Sequence, residues 1–263
     1  EHAPEGYEVG MECTHHGPTT VGAPSMFVEV GSEQAQWDDP EAARAAARAI
    51  LDLRGVEADQ PAGDDSTADE RRRHLVGFGG GHYTPRFERI VRETGWSVGH
   101  IAADWGLDAI EDDRDRPRVV AEAFEESAAA YGLVEGDKPR LTEIIEEHGY
   151  RAVTETWVRE TDGVDLDLVE AIEDELGTVE EGLRFGDRAL THDGTDFEVT
   201  SLPAELVDEA SGIDREAASE RIAARTLAFQ TEEGGTRPTE TVVLADDAER
   251  GELVDDLADL LTQ

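Results

Sequence analysis

Lysine is almost absent from this 263-residue chain: Lys138 is the only one, and every other Lys/Arg position is arginine. Cysteine is as scarce, with Cys13 alone, so no internal disulfide can form. Phe, Trp and Tyr together reach only 6%, and no apolar run approaches the ~18 residues of a membrane span. No secretory leader pattern opens the sequence, so the expected compartment is the cytoplasm. Leu, Ile, Val and Phe supply 56 of the 263 residues, just above the ~20% below which a highly charged chain stays disordered. A core is expected, but a lean one.

Acid is what abounds. Asp and Glu number 63 against 23 Lys plus Arg, a formal net charge of −40. The excess runs along the whole chain instead of gathering in a tail. Such a surface repels itself in dilute buffer and is tolerated in molar salt, where the Debye length falls to ~3 Å at 1 M. The composition reads as that of a salt-accumulating, archaeal halophile. Net charge then reports the solvent and excludes no nucleic-acid partner.

Periodicity gives the order of elements. Tyr7, Val9, Met11 and Cys13 alternate with polar neighbours as a strand, and Met26–Val30 forms a second. A helix runs from Pro40 to Leu53 under an Asp38 or Asp39 cap, and a polar loop fills 57–73. Then come a strand at Leu75–Phe78, the Gly79-Gly80-Gly81 turn, a helix at Pro85–Glu93 and a short strand at Ser97–Ile101. Helices are expected at Arg118–Tyr131, Thr142–Glu147 and Leu166–Leu176, with a β-branched segment at Ala152–Val158. Beyond Phe185 the pattern predicts a hairpin over Asp187–Ser201, helices at Pro203–Ala210 and Asp214–Leu227, a strand at Thr241–Leu244 and a final helix at Asp246–Leu261. Strands alternating with helices argue an α/β fold, a three-layer mixed or mostly parallel sheet flanked by helices. The division expected is a core over 1–185 and a small α/β extension over 186–263.

Ligands of open α/β sheets gather at the carboxyl ends of the strands. On this reading His15, His16, His82 and His100 lie at such ends with Glu29. Adjacent residues of an extended strand face opposite ways, so His15 and His16 serve one site only if the backbone turns between them. Imidazoles with Glu12 or Glu29 suit zinc with three protein ligands and a water, or metal-free acid–base work. The glycine turn places His82 where a dinucleotide fingerprint needs glycine and lacks the lysine of a P-loop. What remains is a strand, a turn and a helix start whose amides suit an anion, with Arg86 as clamp. Cys13 reads as buried filler, and the four tryptophans as core or pocket wall.

Four blocks occur in order: Thr14-His15-His16-Gly17-Pro18, Phe27-Val28-Glu29-Val30-Gly31-Ser32, Gly79-Gly80-Gly81-His82-Tyr83-Thr84-Pro85-Arg86-Phe87 and Val98-Gly99-His100-Ile101. Over residues 7 to 185 the chain resembles the archaeal and plant-type D-aminoacyl-tRNA deacylases. The resemblance implies an architecture like peptidyl-tRNA hydrolases and nucleoside phosphorylases, a zinc cofactor, and hydrolysis of the ester joining a D-amino acid to tRNA. Members of that family carry an α/β portion ahead of the first block that is not in this sequence. A basic, aromatic stretch is common after Gly99-His100, where this chain has Ala102-Ala103-Asp104-Trp105.

The site expected on these grounds has His15, His16, His82 and Glu29 as catalytic groups and His16, His82 and His100 as metal ligands. Gly79, Gly80, Gly81, Tyr83 and Arg86 would bind substrate. The partner expected is the acceptor end of D-aminoacyl-tRNA, met by a monomer without membrane contact. Two other readings compete: a nucleoside phosphorylase or nucleosidase using the glycine turn for phosphate, and a binding module without catalysis.

Overall fold

The computed structural model describes residues 2–17, 23, 25–56, 73–246 and 248–262. The polar loop read at 57–73 lies outside them except for Arg73, as does Pro18 of the first block. Two compact units divide the chain, Glu1–Ala152 and Val153–Gln263.

The first unit is built on a sheet of β1 (His74–Phe78), β2 (Ser97–Ala102), β3 (Tyr131–Val134) and β4 (Arg151–Val153), in the order β2-β1-β3-β4. β1 runs parallel to both its neighbours. Helices α1 (Gln34–Trp37) and α2 (Pro40–Asp52) precede the sheet; α3 (Pro85–Glu93), α4 (Asp104–Asp108), α5 (Arg116–Glu126) and α6 (Pro139–Glu147) connect its strands. β1 is apolar after His74 and buried along its length, as a central parallel strand must be. Val76 and Phe78 pack with Val120 and Phe124 of α5 and with Leu141, Ile144 and Ile145 of α6. On the alternate face, Gly77 leaves room for Phe87 of α3; a Cβ there would stand 2.7 Å from the Phe87 ring. Helices therefore cover both faces, and the unit has the three layers expected.

Two corrections concern its strands. Tyr7–Cys13 and Met26–Val30 form no strand; among the described residues the only pairing there is a bridge between Glu12 and Tyr83. Alternation alone cannot supply hydrogen-bond partners. The helix read through to Tyr131 stops at Glu126, because Tyr131–Val134 is the strand that pairs with β1.

The second unit holds α7 (Glu155–Glu160), α8 (Leu166–Leu176) and an antiparallel sheet in the order β5-β7-β8-β6. Its strands are β5 (Leu183–Phe185), β6 (Glu198–Ser201), β7 (Ala228–Glu232) and β8 (Arg237–Leu244). Helices α9 (Ala204–Ile213), α10 (Arg215–Arg225) and α11 (Glu249–Ala258) bury Val207, Ile222, Leu253 and Leu257 against Phe229, Val242 and Leu244. Leu183–Phe185 pairs with β7, so the break between units falls at Ala152/Val153 and not at 185/186. The β-branched run at 152–158 is mostly helix, since the Thr154 hydroxyl accepts from the Trp157 N–H and caps α7. The hairpin read over Asp187–Ser201 does not form: Asp187–Thr191 is a 3-10 turn, and β6 pairs with β8 instead.

Candidate functional site

Segment 11–14 is stitched between two parts of the first unit. The Cys13 N–H donates to the His82 carbonyl at 2.9 Å, and the Thr84 N–H to the Met11 carbonyl at 2.9 Å. On the other side the Thr14 N–H donates to the Ile101 carbonyl at 2.9 Å, and the Thr14 hydroxyl accepts from the Ile101 N–H at 3.1 Å. The chain bends at Thr14 immediately afterwards. That bend lets both histidines of the pair reach one place, with ring centroids 4.1 Å apart. The glycine turn brings His82 to the same spot, 4.6 Å from the His15 ring.

Carboxylates bracket the three rings. Glu12 lies 3.4 Å from His82 Nε2 and 3.7 Å from His15 Nε2, and Glu29 lies 3.0 Å from His16 Nε2. His15 Nδ1 is 2.7 Å from the Cys13 carbonyl, an acceptor only, so that nitrogen carries the proton. His15 Nε2 is thereby left as the basic atom, the arrangement common in metal-ligating histidines. Among the described residues two groups have donor atoms all within 4.8 Å of one another: Cys13 with His15 and His82, and His15 with His16 and Glu29. His15 belongs to both. Burial pushes the Cys13 thiol up; its own backbone hydrogen bond opposes this, the Glu12 charge adds to it, and a hydrogen bond from Trp105 opposes it.

Other expected residues fall elsewhere. His100 sits inside β2, not at its end, and its Nδ1 meets the Ser127 hydroxyl at 3.0 Å. It belongs to neither donor group. The Gly79 amide is not open to an anion, because it donates to the Ala102 carbonyl at 2.8 Å. Glu135 crowds the same turn: a Cβ at Gly80 would stand 2.7 Å from its Oε2. Arg86 is half-buried in the first turn of α3 and already engaged in a polar interaction. Tyr83 is 61% exposed and presents its ring edge-on to His82 at 5.1 Å. The tryptophans split: Trp96 and Trp157 are core, whereas Trp37 and Trp105 are exposed.

Cys13, read from the sequence as buried filler, also falls among the candidate donors. It is 3% exposed, as filler would be, yet its sulfur faces two imidazoles. Its place two residues before His15 was the available signal.

Three imidazoles, a thiol and two carboxylates beside a parallel sheet are groups chemically able to ligate a cation or to move protons. The comparisons narrow that choice. The chain belongs to the D-aminoacyl-tRNA deacylase family, whose model matches residues 1–153. A D-aminoacyl-tRNA deacylase of Haloarcula marismortui is 54% identical over 266 residues, covering 100% of this chain and 58% of its own length. One from Halorubrum lacusprofundi is 48% identical, covering 99% of this chain and 54% of its own. One from Methanosarcina mazei is 33% identical over 165 residues, 60% of this chain and 49% of its own. The chain thus spans about half the length of these curated relatives. A solved protein of unknown function is 29% identical, with a TM-score of 0.43 over 56% of this chain and 49% of its own.

Proposed function

We propose that the first unit carries the hydrolytic site of a D-aminoacyl-tRNA deacylase, which cleaves the aminoacyl ester and releases free D-amino acid and tRNA. The observation that supports this reading most is the convergence of His15, His16 and His82 around Glu12 and Glu29. Ester hydrolysis needs a base for the attacking water and a donor for the oxyanion. His16, oriented by Glu29, takes the water proton. His82, held by Glu12, donates to the oxyanion and then to the leaving ribose oxygen.

The donor set fits zinc: a thiol, imidazoles and a carboxylate, with a shared His15 whose Nε2 is free to ligate. Cys13, His15 and His82 would hold the ion in one arrangement, where it would replace His82 in stabilising the oxyanion; His15, His16 and Glu29 would hold it in the other, where it would replace His16 in activating water. Bound there, it would act as a Lewis acid on water or on the ester carbonyl. The amides of Gly80 and Gly81 and the Arg86 guanidinium would approach the tRNA 3′ end, with the terminal adenine stacked on Tyr83 or Trp105. The protein would work as a cytoplasmic monomer; no helix among the described residues is long and apolar enough to cross a membrane.

The test is hydrolysis of D-tyrosyl-tRNA against L-tyrosyl-tRNA by this chain in molar potassium chloride. Turnover of the D ester alone is the expected result. Equal rates on both, or none on either, would overturn the reading.

A further inference from the structure

The single lysine is spent inside the protein. Its side chain is 25% exposed, with Nζ 2.9 Å from Asp104 Oδ1 and donating to the Glu135 carbonyl at 2.8 Å. It occupies the N-cap of α6, where a positive charge opposes the helix dipole, so its place is set by these partners and not by the helix. Two glycines with positive φ flank the ammonium, Gly79 at +101° and Gly136 at +81°; a Cβ on either would stand 3.2 or 3.3 Å from Nζ. A compact one-nitrogen head sits between them, where a guanidinium would bring a wider, planar group. This accounts for a lysine in a chain that otherwise uses arginine.

Asp104 leads from the ammonium to the site through the glycine turn. Its N–H donates to the Gly80 carbonyl at 3.0 Å, and Gly80 precedes Gly81 and His82 in the turn. The His82 carbonyl in turn accepts from the Cys13 N–H at 2.9 Å, which ties the turn to the thiol's own segment. We propose that Lys138 is a positioning residue: by clamping Asp104 and Glu135 across the glycine turn, it holds His82 beside Glu12 and the Cys13 segment. The catalytic role of that site rests on the function proposed above; the clamp itself does not.

Cys13 is the only thiol, so labelling of the full chain by a thiol reagent reports on one position. The measurement is the labelling rate at fixed pH in 3 M potassium chloride, after removal of metal with a chelator. Lys138→Met and Asp104→Asn should each speed labelling by about tenfold through local opening, with far-ultraviolet dichroism unchanged. Lys138→Arg should fail to rescue. The double variant Lys138→Met/Asp104→Asn should label no faster than either single, because both break one clamp. Unchanged labelling in both singles, or a double variant whose acceleration is the product of the two, would overturn the proposal. With D-tyrosyl-tRNA, Lys138→Met should lower kcat while leaving KM within about twofold, as misplacement of reacting groups does. A wild-type chain that shows the labelling pattern without any deacylation would sink the functional reading and leave the clamp standing.

Discussion

His15 lies in both donor groups, and its Nδ1 is committed to the Cys13 carbonyl. Any cation held by either group therefore needs His15 Nε2, whereas His100 is turned to Ser127. His15→Ala should strip zinc from protein purified with the metal, and His100→Ala should retain the wild-type content, as read by metal analysis. The opposite pattern would refute both ligand sets. A second residue-scale prediction concerns Glu160, whose carboxyl is pushed up by burial, with Arg184 at 3.7 Å and the Phe185 N–H only partly offsetting it. A folded-state pKa above the unfolded one means that stability falls as pH rises through the shifted range, because the native form holds the proton longer. Glu160→Gln should thus raise the melting midpoint at pH 7, with the gain shrinking as pH falls and the wild-type group protonates. A lower midpoint at pH 7 would mean that the attraction to Arg184 outweighs the burial cost.

Among the elements, α5 and α2 make a useful contrast. Phe124 of α5 is fully buried, stacks on Tyr150 at 4.0 Å and fills the space left by Gly132. Phe124→Ala should cost about 3–5 kcal/mol in urea unfolding at high salt. Leu51 of α2 is 67% exposed, and Leu51→Ala should stay within about 0.5 kcal/mol. Equal costs would show that α2 buries its outer face in solution. How legible these elements were depended on length and caps. α3 and α8 were read to the residue, each bounded by a local signal: Pro85 opens α3, and Asp165 and Gly177 bracket α8. β3, β4 and β7 were hidden, because runs of three to five residues beside helices carry no period of their own and gain strand geometry only by pairing.

For the whole molecule, a net charge of −40 sets the conditions for folding. Arginine forks hold several carboxylates together, Arg225 with Glu252 and Asp256, and Arg237 with Asp208 and Glu232, but such exposed pairs contribute ~0–1 kcal/mol each. They cannot offset the repulsion of the whole surface. Dialysis from 3 M to 0.1 M potassium chloride should lower the melting midpoint steadily, since the Debye length lengthens to ~10 Å. A midpoint independent of salt would contradict this. Counterion release cannot drive binding to a polyanion in molar salt. The affinity for a short aminoacylated acceptor mimic should therefore change little between 1 and 3 M salt, and Tyr83→Ala should weaken it. A steep salt dependence would place the grip on phosphates.

Composition by itself pointed to a high-salt solvent and a lean core, and the order of strand and helix patterns to the α/β class, because each is a sum over many residues that no single contact can reverse. Local spacing also placed His15, His16, His82 and Glu29 in one candidate site. Only the tertiary structure decided that His15 and His16 share a face, that Cys13 joins them, and that His100 and the Gly79 amide do not. It also put the one lysine beside the glycine turn. Those outcomes depend on hydrogen bonds between segments far apart in sequence, such as Cys13 to His82 and Lys138 to Asp104 and Glu135. Periodicity sees only neighbours, so which donors finally meet is settled by the packing that brings distant segments together.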